Sequence, residues 1–256
     1  MSLRDAAYRV YERRLRANLH DAPIPQHVAI MIDGNRRWAR AAGFDDVSHG
    51  HAVGAGKILD LLGWCVEAGV EHVTIWLLST DNLRRPAEEL EPLLRIIAGV
   101  AAELSAPGRP WRVQAVGALD LLPLPTAEAL KTAEEHTRNR SGLTVNVAVG
   151  YGGRREIADA VRSLLLEQAA AGTSLEELAE VIDTEHIAEH LYTRGQPDPD
   201  LVIRTSGELR VSNFLLWQLA YAELAFVDKL WPDFGPRDLQ HALDEYASRR
   251  RNFGGR

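Results

Sequence analysis

Six short runs of aliphatic and β-branched residues, separated by stretches of helical periodicity, constrain this chain more than any other feature. They fall at residues 27–32, 70–78, 111–116, 143–149, 201–203 and 224–227. Helices are expected between them at about 53–68, 86–104, 126–138 and 156–171, with two short ones inside 175–191 and a last one over 236–251. Strands separated by helices indicate a parallel sheet with both faces covered. The expected fold is therefore α/β: a central, mostly parallel six-stranded sheet flanked by helices. No repeat, low-complexity tract or linker divides the 256 residues, so one domain is expected over 1–256.

Ligands of open parallel sheets bind beyond the carboxyl ends of the strands, and two strand ends here carry suitable chemistry. The first strand runs into Asp33-Gly34-Asn35-Arg36-Arg37-Trp38. The fifth runs into Arg204-Thr205-Ser206-Gly207-Glu208-Leu209-Arg210-Val211-Ser212-Asn213-Phe214. One loop offers a carboxylate suited to Mg²⁺ beside two arginines; the other offers two arginines and hydroxyls. Together they could hold two anionic groups side by side. The first loop also fits an ordinary strand-to-helix turn, with Asp33 as a cap and Gly34 easing the backbone. Two arginines crowded beside an acid are costly unless an anion joins them, which favours the functional reading.

Three further segments belong to the same argument. Ser79-Thr80-Asp81-Asn82-Leu83-Arg84-Arg85-Pro86 ends the second strand; it reads either as a helix cap or as a loop that turns Asn82 and Arg85 toward a ligand. Tyr151-Gly152-Gly153-Arg154 reads as a structural turn in preference to a phosphate cradle. His49 and His51 flank Gly50 in an expected loop. Glu223 is a carboxylate in an apolar stretch and needs a partner or a metal.

Composition narrows the classes. A net charge of −7 argues against a general nucleic-acid binder, whose affinity comes from a basic surface. One cysteine, Cys65, excludes an intramolecular disulfide framework and a cysteine-based zinc cluster. The charged N-terminus lacks a signal-peptide core, and no window approaches the ~20 apolar residues of a membrane span. A cytoplasmic location is expected. Residues 3–19 place Tyr8, Tyr11, Leu15 and Leu19 at helical spacing among arginines. That helix either packs on the domain or touches an anionic membrane surface peripherally.

Taken together, these motifs resemble the cis-prenyltransferase, or undecaprenyl diphosphate synthase, family over nearly the whole length from His27. The resemblance rests on the segment from His27 to Trp38, on Asp81-Asn82 through Arg85-Pro86, on Tyr151-Gly152-Gly153-Arg154, and on the stretch from Asp200 through Ser212-Asn213 to Glu223. It implies an Mg²⁺-dependent homodimer that condenses isopentenyl diphosphate with an allylic diphosphate primer, on a fold with an apolar tunnel. By position it implies that Asp33 holds the metal, joined by Glu223 from the partner subunit. Gly34, Asn35, Arg36, Arg37 and His51 would bind the primer diphosphate, and Trp38 would pack on the primer. Arg204, Arg210 and Ser212, with Val211 beside them, would hold isopentenyl diphosphate. Asn82 would assist proton removal within a substrate loop that includes Ser79, Thr80, Asp81, Leu83 and Arg85. The C-terminal tail beyond residue 236 would reach toward the partner's site.

The chain departs from the family pattern at Arg36, where glycine is usual, at Leu83 for tryptophan, at Gly150 for asparagine and at Asn252 for arginine. It is also one residue longer between Gly43 and Gly50 and lacks the arginine often found there. Leu77 stands where long-chain members carry a small residue, which leads us to expect a short product such as Z,E-farnesyl diphosphate from a geranyl primer. The apolar face with Leu90, Leu93, Leu94, Ile97, Val100 and Leu104 either packs the core or lines the tunnel. The alternatives are a long-chain synthase, a non-catalytic partner subunit and an unrelated phosphate-binding protein.

Overall fold

The computed structural model describes residues 23–249; the expected helix over 3–19 and the tail from residue 250 onward lie outside the described residues. Strands β1 (His27–Met31), β2 (His72–Ser79), β3 (Arg112–Val116), β4 (Thr144–Tyr151), β5 (Leu201–Arg204) and β6 (Glu223–Phe226) form one sheet in the order β3-β4-β2-β1-β5-β6. All five pairings are parallel, not mostly so, because every connection is a crossover over a sheet face.

The helices are α1 (Asn35–Ala41), α2 (Ser48–Ala68), α3 (Ala87–Ser105), α4 (Leu124–Thr137), α5 (Gly153–Ala171), α6 (Leu175–Val181), α7 (Thr184–Ala188) and α8 (Pro236–Ser248). Two differences from expectation matter for function. Helix α1 is an extra element, too short for periodicity to reveal. Helix α2 starts at Ser48 and not near 53, so His49, Gly50 and His51 lie in its first turn and not in a loop. The early start has a cause in Asp46, whose carboxylate accepts from Ser48 N at 2.8 Å and from Ser48 Oγ at 2.6 Å.

Alternation along β1 splits the core. Val28 and Ile30 face a large cluster with Ile58 and Leu61 of α2, Ile97 of α3, Leu130 of α4 and Leu243 of α8. Ala29 and Met31 face a smaller cluster with Tyr151 and Phe214. Gly69, expected to end α2, does so in the left-handed conformation at φ 87°. The strand order reverses at β1: β2 lies on one side and β5 on the other. The chain therefore leaves β1 and β5 toward opposite faces of the sheet, and a cleft opens at this carboxyl edge.

Polar residues also cross the smaller-cluster face. His27 Nδ1 lies 2.7 Å from the Pro197 carbonyl, which can only accept, so Nδ1 carries the proton. Nε2 then accepts from Thr74 Oγ1 at 2.8 Å. Burial pushes the His27 pKa down to about 4, with the neighbouring His72 adding to the effect. The folded protein thus keeps His27 neutral while an unfolded chain protonates it, and stability falls as pH drops from 6.5 toward 4. Between pH 7 and pH 5 this one residue should cost about 2 kcal/mol of stability. Urea midpoints of the wild type and His27→Gln at both pH values test this; the variant should show a smaller pH difference. An equal difference in both proteins would refute the assignment.

Candidate active site

The crevice at the carboxyl edge of the sheet is a cleft of about 610 Å³. Its mouth gathers six arginines, Arg36, Arg37, Arg40, Arg85, Arg204 and Arg210, against the carboxylates of Asp33, Asp81 and Glu208. In a chain of net charge −7 this is a concentrated positive site. Its deeper walls are aliphatic: Ala55 and Ile58 from α2, Leu77 and Leu78 from β2, and Leu93, Ile96, Ile97 and Val100 from α3. Leu77 reaches the cleft through a β-bulge. Trp76 and Leu78 pair with the consecutive Ala148 and Val149, so Leu77 has no opposite number in β4.

Asp33 and Arg204 tie the two principal loops together. Arg204 Nη2 donates to Asp33 Oδ2 at 2.9 Å, Nη1 donates to Ser212 Oγ at 2.7 Å, and Nη1 also donates to the Arg210 carbonyl. The backbones are laced as well: Asp33 N donates to Thr205 Oγ1 at 2.9 Å, and Thr205 Oγ1 donates to the Asp33 carbonyl at 2.7 Å. Burial opposes ionisation of Asp33, but the Arg204 guanidinium outweighs it and holds the carboxyl below its ordinary pKa. Arg204 is 5% exposed whereas Asp33 is 40% exposed, so the acid faces the cleft from a buried cationic support.

The loop geometry explains the residue types around Asp33. Gly34 sits at φ 107°, and a Cβ there would meet Leu230 Cδ2 at 2.8 Å. Gly50 and Gly54 let α2 approach Asn35 so closely that a Cβ on either would overlap it, and Trp231 Nε1 donates to the Gly54 carbonyl at 2.7 Å. The first turn of α2 thereby carries His51 into the cleft. Burial, with help from Arg85 and Arg36, lowers the His51 pKa to about 4, so the imidazole is neutral. Two polar atoms at this mouth, His51 Nε2 and Arg204 Nε, are buried without a partner in the protein. An anionic ligand would satisfy them.

Of the candidate residues, Asp33, Gly34, Asn35, Arg36, Arg37, His51, Ser79, Asp81, Asn82, Arg85, Arg204, Arg210 and Ser212 line the cleft. Ser79 Oγ accepts from Asn82 N at 3.1 Å and shapes the turn Asp81–Arg84 that presents Asn82. Trp38, Thr80, Leu83 and Val211 are not among the lining residues. Trp38 Nε1 donates to Asp233 at 2.8 Å, and Leu83 packs against the large core cluster. Thr80 N donates to the Tyr151 carbonyl, and the Val211 carbonyl accepts from Phe214 N. Glu223 opens β6 opposite Leu201, at the far end of the sheet from Asp33, where its carboxylate accepts from Arg249 Nη1 at 2.6 Å. His49 packs on Phe44 in a tilted arrangement with ring centroids 3.9 Å apart.

A family profile described as "Putative undecaprenyl diphosphate synthase" matches residues 30–254, which span both loops. The chain belongs to this prenyltransferase family. It is 60% identical over 252 residues to a (2Z,6E)-farnesyl diphosphate synthase of Thermobifida fusca, covering 98% of each chain. It is 52% identical over 254 residues to a protein of the same name from Mycobacterium tuberculosis, covering 98% of this chain and 97% of that one. Among solved structures it resembles lavandulyl diphosphate synthase from Lavandula x intermedia in complex with dimethylallyl diphosphate. That match has a TM-score of 0.84 and 36% identity, and covers 91% of this chain and 99% of that one.

At the cleft of this cis-prenyltransferase stand further charged residues that the sequence argument left unassigned. Glu89 on α3 accepts from Arg36 Nη1 at 3.1 Å and lies 3.0 Å from Arg85 Nη1, holding two like charges side by side. Glu208 pairs with Arg210 and stands 4.0 Å from Arg37. Arg85 and Glu89 are four apart, but Arg85 precedes α3 in extended backbone, so their pairing follows from the turn at Pro86 and not from helical spacing. The pairing of Arg36 with Glu89, 53 positions away, has no local signal.

Proposed function

We propose that the chain condenses isopentenyl diphosphate with a short allylic diphosphate, yielding (2Z,6E)-farnesyl diphosphate from a geranyl primer. The observation that carries this reading is the division of one cleft: Asp33 and Arg204, 2.9 Å apart, stand at a guanidinium-rich mouth above aliphatic walls. Such a cleft suits two diphosphates outside and a prenyl tail within. The chain length has support in the names of the relatives at 60% and 52% identity and in Leu77, which narrows the wall.

In the reaction the bond between allylic C1 and its diphosphate breaks, C4 of isopentenyl diphosphate bonds to C1, and the proton lost from C2 passes to an oxygen of a bound diphosphate. Gly34, Asn35, Arg36, Arg37 and His51 hold the primer diphosphate, where the neutral imidazole bonds without adding charge. Arg204, Arg210 and Ser212 grip isopentenyl diphosphate, and fixing both partners converts an encounter into an oriented reaction. The Asn82 amide, unable to take the proton itself, orients the carbons that lose it, and Arg85 supports its turn. Guanidinium groups aimed at the departing diphosphate stabilise the charge that develops on it.

Asp33 fits Mg²⁺: its carboxylate is ionised, half-exposed and beside the anion site. Among the described residues no group of three or more His, Cys, Asp or Glu forms a cage. Magnesium suits such a site, because it commonly takes one or two carboxylates and completes its shell with phosphates and water. When bound, the ion neutralises the leaving diphosphate. Glu223 serves the partner's site in this reading, which makes the enzyme a homodimer. The exposed edge strand β6, flanked by Tyr221 at 78% exposure, gives the second copy an apolar place to pack. Among the described residues no helix is long and apolar enough to cross a membrane. We assign a cytoplasmic location, with peripheral membrane contact left to the segment 1–22.

The test is incorporation of radiolabelled isopentenyl diphosphate into a butanol-extractable product, with Mg²⁺ and with geranyl or farnesyl diphosphate as primer. The expected result is a fifteen-carbon product from the geranyl primer. No incorporation with either primer would overturn the reading. In the same assay Leu77→Ala removes wall volume at the bulge and should shift the product toward longer chains. An unchanged profile by mass analysis would count against Leu77 as the stop.

A further inference from the structure

The Tyr151-Gly152-Gly153-Arg154 segment lies outside the cleft lining, yet its backbone donors are occupied in an unusual way. Helix α5 has no capping side chain of its own, since its N-cap residue is Gly152. The cap comes from Asn213, 59 residues away: Arg154 N donates to Asn213 Oδ1 at 2.9 Å and Gly153 N donates to the Asn213 carbonyl at 2.7 Å. The two glycines let the neighbouring segments approach closely. A Cβ at Gly152 would lie 2.8 Å from Asn213 Nδ2 and from Thr80 Oγ1, and one at Gly153 would lie 2.9 Å from Leu216 N.

Asn213 sits in a strained stretch. Ser212, Asn213 and Leu215 have φ of 46°, 71° and 42°, a left-handed conformation unfavourable for residues with a Cβ. Such strain persists only where surrounding contacts hold it. Here Phe214 is pinned between Trp76, stacked at 4.9 Å, and Tyr151, edge-on at 6.0 Å. The Tyr151 hydroxyl donates to the fully buried Glu156, which also accepts from Gln218 Nε2 at 3.1 Å just past the strained turn. The Tyr151 carbonyl in turn accepts from Thr80 N at 3.0 Å, at the start of the Asn82 turn.

We propose that Asn213 is a positioning residue that clamps the Arg204–Ser212 loop to the N-terminus of α5, setting Ser212 Oγ and the Arg210 carbonyl where they brace Arg204. The Gly152-Gly153 turn is the common anchor of this loop and of the Asn82 turn. The proposal deepens the assigned reaction and rests on it for the identity of the ligand, isopentenyl diphosphate. The clamp itself is a statement about the free protein.

Three variants separate the contributions. Asn213→Ala loses the cap and disfavours the left-handed backbone; Asn213→Gly keeps the backbone and loses the cap; Asn213→Asp keeps an acceptor oxygen. Asn213→Ala should raise KM for isopentenyl diphosphate about tenfold, the equivalent of one lost cap and hydrogen bond. KM for the primer should change less than about twofold, an effect too small to reflect a lost contact. Asn213→Asp should restore most of the difference, and Asn213→Gly should fall between. Equal changes in both KM values, or a loss of thermal stability alone, would reduce Asn213 to a structural cap and overturn the proposal. Amide hydrogen exchange on the substrate-free enzyme gives an independent reading. In Asn213→Ala, exchange should accelerate at 205–212 and at Arg154 but not at 33–38. Unchanged exchange at 205–212 would refute the clamp, whereas an inactive wild type would refute only the assigned reaction.

Discussion

Replacing Asp33 with alanine should lower kcat for prenyl transfer by about 10³-fold or more, the scale of losing a group that answers charge developing on the leaving diphosphate. Asp33 is the only carboxylate that combines exposure to the cleft with a direct bond to the Arg204 support, among the described residues. Alanine also strips Arg204 Nη2 of its acceptor and could disturb the loop, so Asp33→Asn is the sharper variant. Asparagine keeps an oxygen for Arg204 at nearly the same place and removes the negative charge. Its expected phenotype is a folded protein, with near-native circular dichroism and melting, whose turnover stays low even at raised Mg²⁺. Near-normal kcat in Asp33→Asn would sink the metal role. Recovery at high Mg²⁺ would instead place the main contribution of Asp33 in affinity for the ion.

Arg204→Lys should be almost as damaging despite conserving the charge. The guanidinium serves three acceptors on different elements: Asp33 Oδ2, Ser212 Oγ and the Arg210 carbonyl. A lysine ammonium is a point charge on a flexible stem and cannot span this set in one geometry. Both loops lose their common brace, and the proposed isopentenyl diphosphate site loses its buried cation. We expect kcat/KM for isopentenyl diphosphate to drop about 10²–10³-fold, within the range for breaking a buried hydrogen-bonded charge pair. Steady-state kinetics with isopentenyl diphosphate varied at saturating primer, beside a melting curve, distinguishes this from misfolding. A value within threefold of wild type, with the fold intact, would show that charge alone is enough there. Unlike the Asp33 variants, Arg204→Lys should show much of its defect in KM.

The gathering of the candidate residues at one edge was legible in the sequence, for a physical reason. In a parallel sheet the residue after each strand is carried to one edge, so finding the strands in the sequence locates Asp33, Ser79 and Arg204 together. Apolar periodicity supplied the strands, and Gly69 marked the end of α2 at the residue where the backbone turns left-handed. Short elements escaped that logic. Helix α1, at seven residues, is too brief to show a stripe, and the early start of α2 depends on the Asp46 cap and on contacts with Asn35.

The chain's own order of residues determined the class of fold, the two arginine-bearing loops and the kinship with prenyltransferases, because each follows from local pattern or contiguous motif. Only the tertiary structure decided which side chains share the cleft and which are spoken for elsewhere. It turned Trp38 toward Asp233, put Glu223 at the opposite end of the sheet, and brought Glu89 to Arg36 and Asn213 to Arg154. Those side-chain pairings bridge 53 to 195 positions, and no local propensity encodes them. They exist because packing helices onto both faces of one sheet brings together polar groups that are far apart in the chain.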